Sequence, residues 1–154
     1  MAEPIEAAEQ AGRRRAASAF ALAPAGLLAQ RYEALGTIPE AVPVRGPEVG
    51  LVMLRGRAGG GGAAFNLGEA SVARASVRLA SGEIGHAMIL GRDGAKARMA
   101  AHLDALWQNP DWRDRVEREV VVPALAADSD ALRERAEETA ATRVDFFTLA
   151  RGED

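Results

Sequence analysis

Apolar side chains recur along this chain in two rhythms, and the change between them marks its organisation. Between Pro24 and Gly36, Leu28, Tyr32 and Leu35 fall at i, i+4 and i+7. That spacing predicts an amphipathic helix whose first turn tolerates the proline and which the glycine stops. A shorter helix from about Arg14 to Leu22 precedes it, so the two read as a helical hairpin turning near Pro24. Residues 1–12 carry few large apolar side chains and are expected to be a mobile N-terminal segment. From Ile38 the rhythm shortens. Val42 and Val44, then Val49 to Leu54, predict two strands with a turn at Arg45, Gly46 and Pro47. In the strand Ala73 to Leu79, Ala73, Ala75, Val77 and Leu79 point one way while Arg74, Ser76 and Arg78 point the other. Ser81, Gly82 and Glu83 form a hairpin turn into Ile84 to Leu90, where Ile84, His86, Met88 and Leu90 share a face that reads as the apolar one.

The helical rhythm then returns. Asp93 caps a helix with Met99, Leu103 and Leu106 as its buried stripe, ending before Pro110. Trp112 to Val122 is helical, Pro123 breaks it, and Asp128 to Thr142 forms a charged helix capped by Asp128 or Ser129, with Leu132, Ala136 and Ala140 on one face. The tail VDFFTLARGED concentrates aromatics in a chain poor in them, so Phe146, Phe147 and Leu149, with Arg151 beside them, are candidates for an interface. The fold class expected is α+β: one domain over residues 13–154, an antiparallel meander packed with helices from both terminal segments and ending in a docking tail.

At 154 residues the chain is the size of one domain. It has no cysteine, which excludes disulfides, thiol nucleophiles and cysteine metal sites. It shows no signal-peptide pattern and no apolar run of bilayer length, so a cytoplasmic location and no membrane partner are expected. Net charge is −3, and the positive charge is concentrated in the middle. Val42 to Gln108 holds eight basic and five acidic residues, against seven and twelve from Asn109 to Asp154. Without a dense basic face interleaved with aromatics, no nucleic-acid partner is expected. A local site for a small anion fits this distribution, and so do ordinary solvated charges.

The middle also holds most of the candidate chemistry. Gly59, Gly60 and Gly62 belong to a run of four glycines that can bring backbone N–H groups close to an anion. No lysine follows in the spacing of a nucleotide phosphate loop, so the run also reads as a flexible hairpin connection. Arg74 and Arg78 share a strand face and can hold a phosphate or carboxylate together, or simply face water. Arg92, beside a helix N-terminus, is a third possible anion contact. His86 reads either as a hydrogen-bonded core or interface residue or as a proton carrier, and Glu69 as a general base or an exposed turn residue. His102 has no metal-ligand spacing with His86, and no metal site is expected. Both His86 and Glu69 are weak catalytic candidates, and no self-sufficient catalytic set is visible.

The run Arg57 to Glu69 (RAGGGGAAFNLGE), Arg74, Val77 to Leu79, Gly85 with His86, Gly91 to Asp93, and the tail from Arg143 through Thr148 to Arg151 and Gly152 occur in this order. Together they resemble the PhnG family, the G subunit of the bacterial carbon-phosphorus lyase core complex. The resemblance implies a role in organic phosphonate catabolism. It implies work with the H, I, J and L subunits, closest to the I subunit, in transferring the ribose triphosphate of ATP to methylphosphonate with release of adenine. ATP and methylphosphonate would be substrates of the complex, with no cofactor bound by this chain alone and the main catalytic residues on a partner. Two alternatives stand beside it: a non-catalytic scaffold for the I subunit, and an independent small-anion-binding module. The family pattern has threonine and cysteine where this chain has Ala73 and Ala75, so no role of that thiol carries over.

Overall fold

The computed structural model describes residues 3–58 and 61–142. Helix α1 (Glu3–Leu22) and helix α2 (Ala25–Ala34) precede a meander of strands β1 (Ala41–Gly56), β2 (Phe65–Leu79) and β3 (Ile84–Leu90). Helices α3 (Gly94–Gln108), α4 (Pro110–Val116) and α5 (Val122–Ala141) follow, with one π-helical turn at Glu117–Val121 between the last two. The sheet is antiparallel in the order β1-β2-β3. The expected α+β class and meander are both present.

Helix α3 is the centre of the domain. It packs on the sheet with one side and on α1, α2 and α4 with others, so even its polar Lys96, His102 and Asp104 are buried. Its many alanines allow close approach. An added Cβ at Gly85 would lie 1.9 Å from the Ala101 carbonyl oxygen and 2.5 Å from the Ala105 nitrogen, so β3 touches the backbone of α3 there. The core face of the sheet is Ala73, Ala75, Val77 and Leu79 of β2, as the alternation predicts, joined by Ile89 of β3. Asp93 caps α3 as expected, its Oδ1 accepting the Lys96 N–H at 2.8 Å. Lys96 in turn donates its ammonium to the Ala21 carbonyl at 2.6 Å near the end of α1.

Four expectations are corrected. First, α1 begins at Glu3 rather than near Arg14, so residues 3–12 are part of a helix. A stripe of Ala16, Ala19, Phe20 and Ala23 holds its second half in the core. Its first half is tied by Glu9 to Arg113 at 2.6 Å and by the close fit of Gly12 on Trp107. Second, β1 is one strand and not two: the pairing with β2 shifts register between Pro43 and Arg45 and between Arg45 and Glu48. Gly46 adopts φ +69°, so the extra residues form bulges instead of a turn. Third, β3 has the opposite phase, with Gly85 and Ile89 buried and Ile84, His86, Met88 and Leu90 exposed. The approach of α3 requires the glycine side, which outweighs the attraction of burying larger residues. Fourth, Pro123 does not break the last helix. Proline lacks an N–H and crowds the carbonyl four residues back. The π-turn, with Val122 N–H bonded to Glu117 C=O, lets the helix pass that point. Val116, Val120, Val121 and Ala124 are thereby kept in the core, and Asp128 and Ser129 lie inside α5 rather than capping it.

Candidate functional site

The correction to β3 brings the chemistry together. Residues facing one another across antiparallel strands share a face, and here Ser76 faces His86, Arg74 faces Met88, and Arg78 faces Ile84. Arg74, Arg78 and His86 therefore stand on one face of the sheet, the one turned away from α3. The Ser76 hydroxyl and His86 Nδ1 are 2.8 Å apart, so when the hydroxyl donates, His86 Nε2 carries the proton toward solvent. Behind the ring, the His86 backbone N–H donates to Asp104 Oδ2 at 2.9 Å. The buried Asp104 carboxylate is itself held by Arg13, with contacts of 2.9 and 2.7 Å. Helices α1 and α3 thus fix the strand that carries the histidine.

Strand β1 supplies the rest of the site. Glu48 Oε1 accepts from Arg74 Nε at 2.7 Å and forms an ion pair with Arg45 Nε at 2.7 Å. Glu48 titrates below the ordinary glutamate range. Partial desolvation opposes the shift, but the hydrogen bond from Arg74 and the charges of both arginines outweigh it. The triad carries a net positive charge and fixes the Arg74 guanidinium beside a shallow cavity of about 260 Å³ lined by Arg45, Ser76, His86 and Met88. Arg78 is exposed and has no side-chain hydrogen bond or ion pair among the described residues. The two arginines are four positions apart, roughly 13 Å along a strand. An elongated polyanion fits that span better than a single phosphate.

Other candidates lie elsewhere. Glu69 is on the opposite face of β2 and roughly 23 Å along the strand from Ser76, so it is not a partner for His86. Arg92 lies on the connection from β3 to α3, joined to Arg74 and His86 by no hydrogen bond, ion pair or cavity among the described residues. Gly62 is in the connection at the far end of the β1–β2 pair. Gly59, Gly60, Phe146, Phe147, Leu149 and Arg151 lie outside the described residues. Among the described residues no group of three His, Cys, Asp or Glu side chains is placed to hold a metal, and no helix is long and apolar enough to cross a membrane.

Comparison with known proteins gives these features a family. The model of the family described as phosphonate metabolism protein PhnG matches residues 11–152. The chain belongs to the PhnG family. A relative from Rhizobium meliloti (strain 1021) is 51% identical over 159 aligned positions, covering all of both chains. That relative is named alpha-D-ribose 1-methylphosphonate 5-triphosphate synthase subunit PhnG. The resemblance read from the FNLGE segment and the strand residues is therefore a true family relationship.

Two features of this PhnG family member escaped the sequence reading. One is an arm. Strand β3 pairs only with Val72 to Arg78 of β2, so residues 51–56 and 65–71 continue outward as a two-stranded ribbon. Its Leu51, Met53, Leu54, Phe65 and Leu67 are all exposed. An isolated hairpin of this kind is marginal in water, and clustered apolar exposure marks a surface for association. The continuous apolar run Leu51 to Leu54 is its signal in sequence, but nothing in sequence shows that the third strand stops short. The other is a cavity of about 650 Å³ bordered by Tyr32, Pro39, Arg98 and His102. Tyr32 OH lies 2.7 Å from His102 Nδ1, and His102 Nε2 lies 2.9 Å from the Pro39 carbonyl. The carbonyl can only accept, so Nε2 carries the proton and Tyr32 donates to Nδ1. Burial pushes the His102 pKa down, the Pro39 bond opposing and the Arg98 charge assisting. Burial also pushes the Tyr32 pKa up.

Proposed function

We propose that this chain is a subunit of an α-D-ribose 1-methylphosphonate 5-triphosphate synthase, acting in organic phosphonate catabolism. Full-length similarity to a relative carrying that name supports the assignment. In the reaction, the bond between the ribose anomeric carbon and adenine breaks and a phosphonate oxygen takes its place. The 5-triphosphate passes through unchanged. A subunit that holds the triphosphate without touching the anomeric carbon would need spaced cations on an open face and no catalytic set of its own. Arg74, Arg78 and the Ser76–His86 pair supply that, and the observation that carries this role is their presence together on the face of the sheet turned away from α3, which no described helix covers. Residues that act on the anomeric carbon belong, on this proposal, to a partner. The partners are the H, I, J and L subunits of the carbon-phosphorus lyase system, with the I subunit nearest.

A second reading has a specific observation in its favour. The exposed apolar arm suits a chain whose purpose is to hold a neighbour in place, which is the scaffold alternative. Replacing Arg74, Arg78 and His86 singly by alanine separates the two. Ligand contact predicts intact assembly on size exclusion with impaired adenine release from ATP and methylphosphonate. Normal turnover in all three variants leaves only the scaffold.

A further inference from the structure

We propose that the outer edge of β3 at Met88 and Leu90, with the groove between it and α1, receives an extended acidic segment of a partner subunit. That segment adds to the sheet as a fourth strand. The premise is the assignment to a synthase assembly made above.

Backbone geometry identifies the edge. Gly91 N–H bonds to the Ser71 carbonyl at 2.8 Å, and Leu79 N–H to the Glu83 carbonyl at 3.0 Å. With Gly85, Ala87 and Ile89 opposite Val77, Ala75 and Ala73, the odd-numbered residues of β3 direct their backbone groups to β2. Antiparallel pairing then turns those of Ile84, His86, Met88 and Leu90 outward. The first half of that edge is closed by the protein itself. Gln108 Nε2 donates to the Ile84 carbonyl at 2.8 Å, and the His86 N–H is taken by Asp104. The second half is open. Among the described residues no hydrogen bond reaches the outward groups of Met88 or Leu90, whose exposures are 54% and 75%. Proteins usually blunt such edges with proline, lysine or a bulge, and β3 has none of these.

The groove beside the edge describes its occupant. It encloses about 390 Å³ between Arg14, Ala17, Ser18 and Ala21 of α1 and Met88 and Ile89 of β3. An added strand would run about 4.8 Å from β3. Its alternate side chains would meet the small residues of α1, which leave room for aliphatic groups. Arg13 and Arg15 are paired with Asp104 and Glu117, but Arg14 has no ion pair among the described residues. An acidic residue on the incoming segment would complement it. A second copy of this chain would bring another Arg14 to the same groove, so charge disfavours self-pairing. Main-chain bonds would supply affinity and the groove selectivity, as in other cases of strand addition.

The test is amide hydrogen exchange at Met88 and Leu90, measured in the full chain alone and in the reconstituted synthase. Fast exchange alone and at least tenfold slowing in the complex is the expected result. Met88→Pro removes an outward donor without touching any β2–β3 bond, and it should weaken assembly at least tenfold, whereas Met88→Thr should not. Arg14→Glu should weaken it as well. An assembled synthase in which both amides still exchange fast overturns the edge proposal and leaves the subunit assignment standing. A chain that enters no complex overturns both. Slow exchange in the chain alone also overturns the proposal: loss of protection on dilution would identify a second copy, and its persistence a contact within the chain. Should Met88→Pro fail to fold, exchange in the unaltered complex decides.

Discussion

Adding one methyl group at Gly85 probes the feature on which the site depends. A Cβ there would sit 1.9 Å from the Ala101 carbonyl oxygen and 2.5 Å from the Ala105 nitrogen. Both atoms belong to the backbone of a buried helix, so no side chain can rotate out of the way. Bringing the closer contact to 3.0 Å requires α3 and β3 to separate by 3.0 − 1.9 = 1.1 Å. Overpacking of this kind costs about 1–3 kcal/mol, and rigid backbone on both sides places Gly85→Ala near about 3 kcal/mol. For a domain of this size that is a fall of roughly 6–12 °C in Tm. Met88→Ser changes an exposed side chain on the other face and should cost no more than about 0.5 kcal/mol. Urea denaturation of both variants gives the comparison. A Gly85→Ala loss below about 0.5 kcal/mol, or a larger loss for Met88→Ser, would mean that β3 has the opposite phase. His86 would then face α3 and not Arg74.

Two further outcomes are expected. In the arm, Leu51→Asp and Leu67→Asp should leave the unfolding free energy of the isolated chain, measured in urea, within about 0.5 kcal/mol of wild type, since both positions are exposed, yet impair co-assembly on size exclusion; unchanged assembly would remove the arm from the interface. His102 has a folded-state pKa held below its unfolded value of about 6.5, so the unfolded chain binds the proton more readily. Its contribution to stability is complete above pH ~6.5 and is lost as pH falls through the folded pKa. Denaturation at pH 7 and pH 5.5 should therefore show a decline, smaller in His102→Gln, and equal declines in the two proteins would show that Tyr32 and Pro39 do not hold a neutral imidazole.

Much of the fold was legible because it follows from local pattern. The stripe Leu28, Tyr32 and Leu35, the Asp93 cap and the inward set Ala73 to Leu79 each rest on spacing within one element, and each is found where that spacing predicts. What sequence misplaced was decided by neighbours distant in the chain. Apolar content alone turns Ile84, Met88 and Leu90 inward; only the closeness of Ala101 and Ala105 shows that glycine and alanine must take that side. The bulges in β1 depend on pairing with Arg74 and Ser76, and the passage of α5 through Pro123 on core contacts made by Val120 and Val121. The arginines of the site were visible as an alternating face, but Glu48 and the Ser76–His86 pair were not, because cross-strand register joins them.

The central claim is that this open face meets the triphosphate of the substrate. Arg78 tests it most cleanly, since the exposed side chain has no partner among the described residues whose loss would confuse the outcome. Adenine release by the reconstituted complex should be measured against ATP concentration with Arg78→Ala in place. A charged hydrogen bond contributes about 1.5–3 kcal/mol, so kcat/KM for ATP should fall roughly 10- to 100-fold while the complex elutes unchanged. An intact complex with unaltered kcat/KM would contradict the claim.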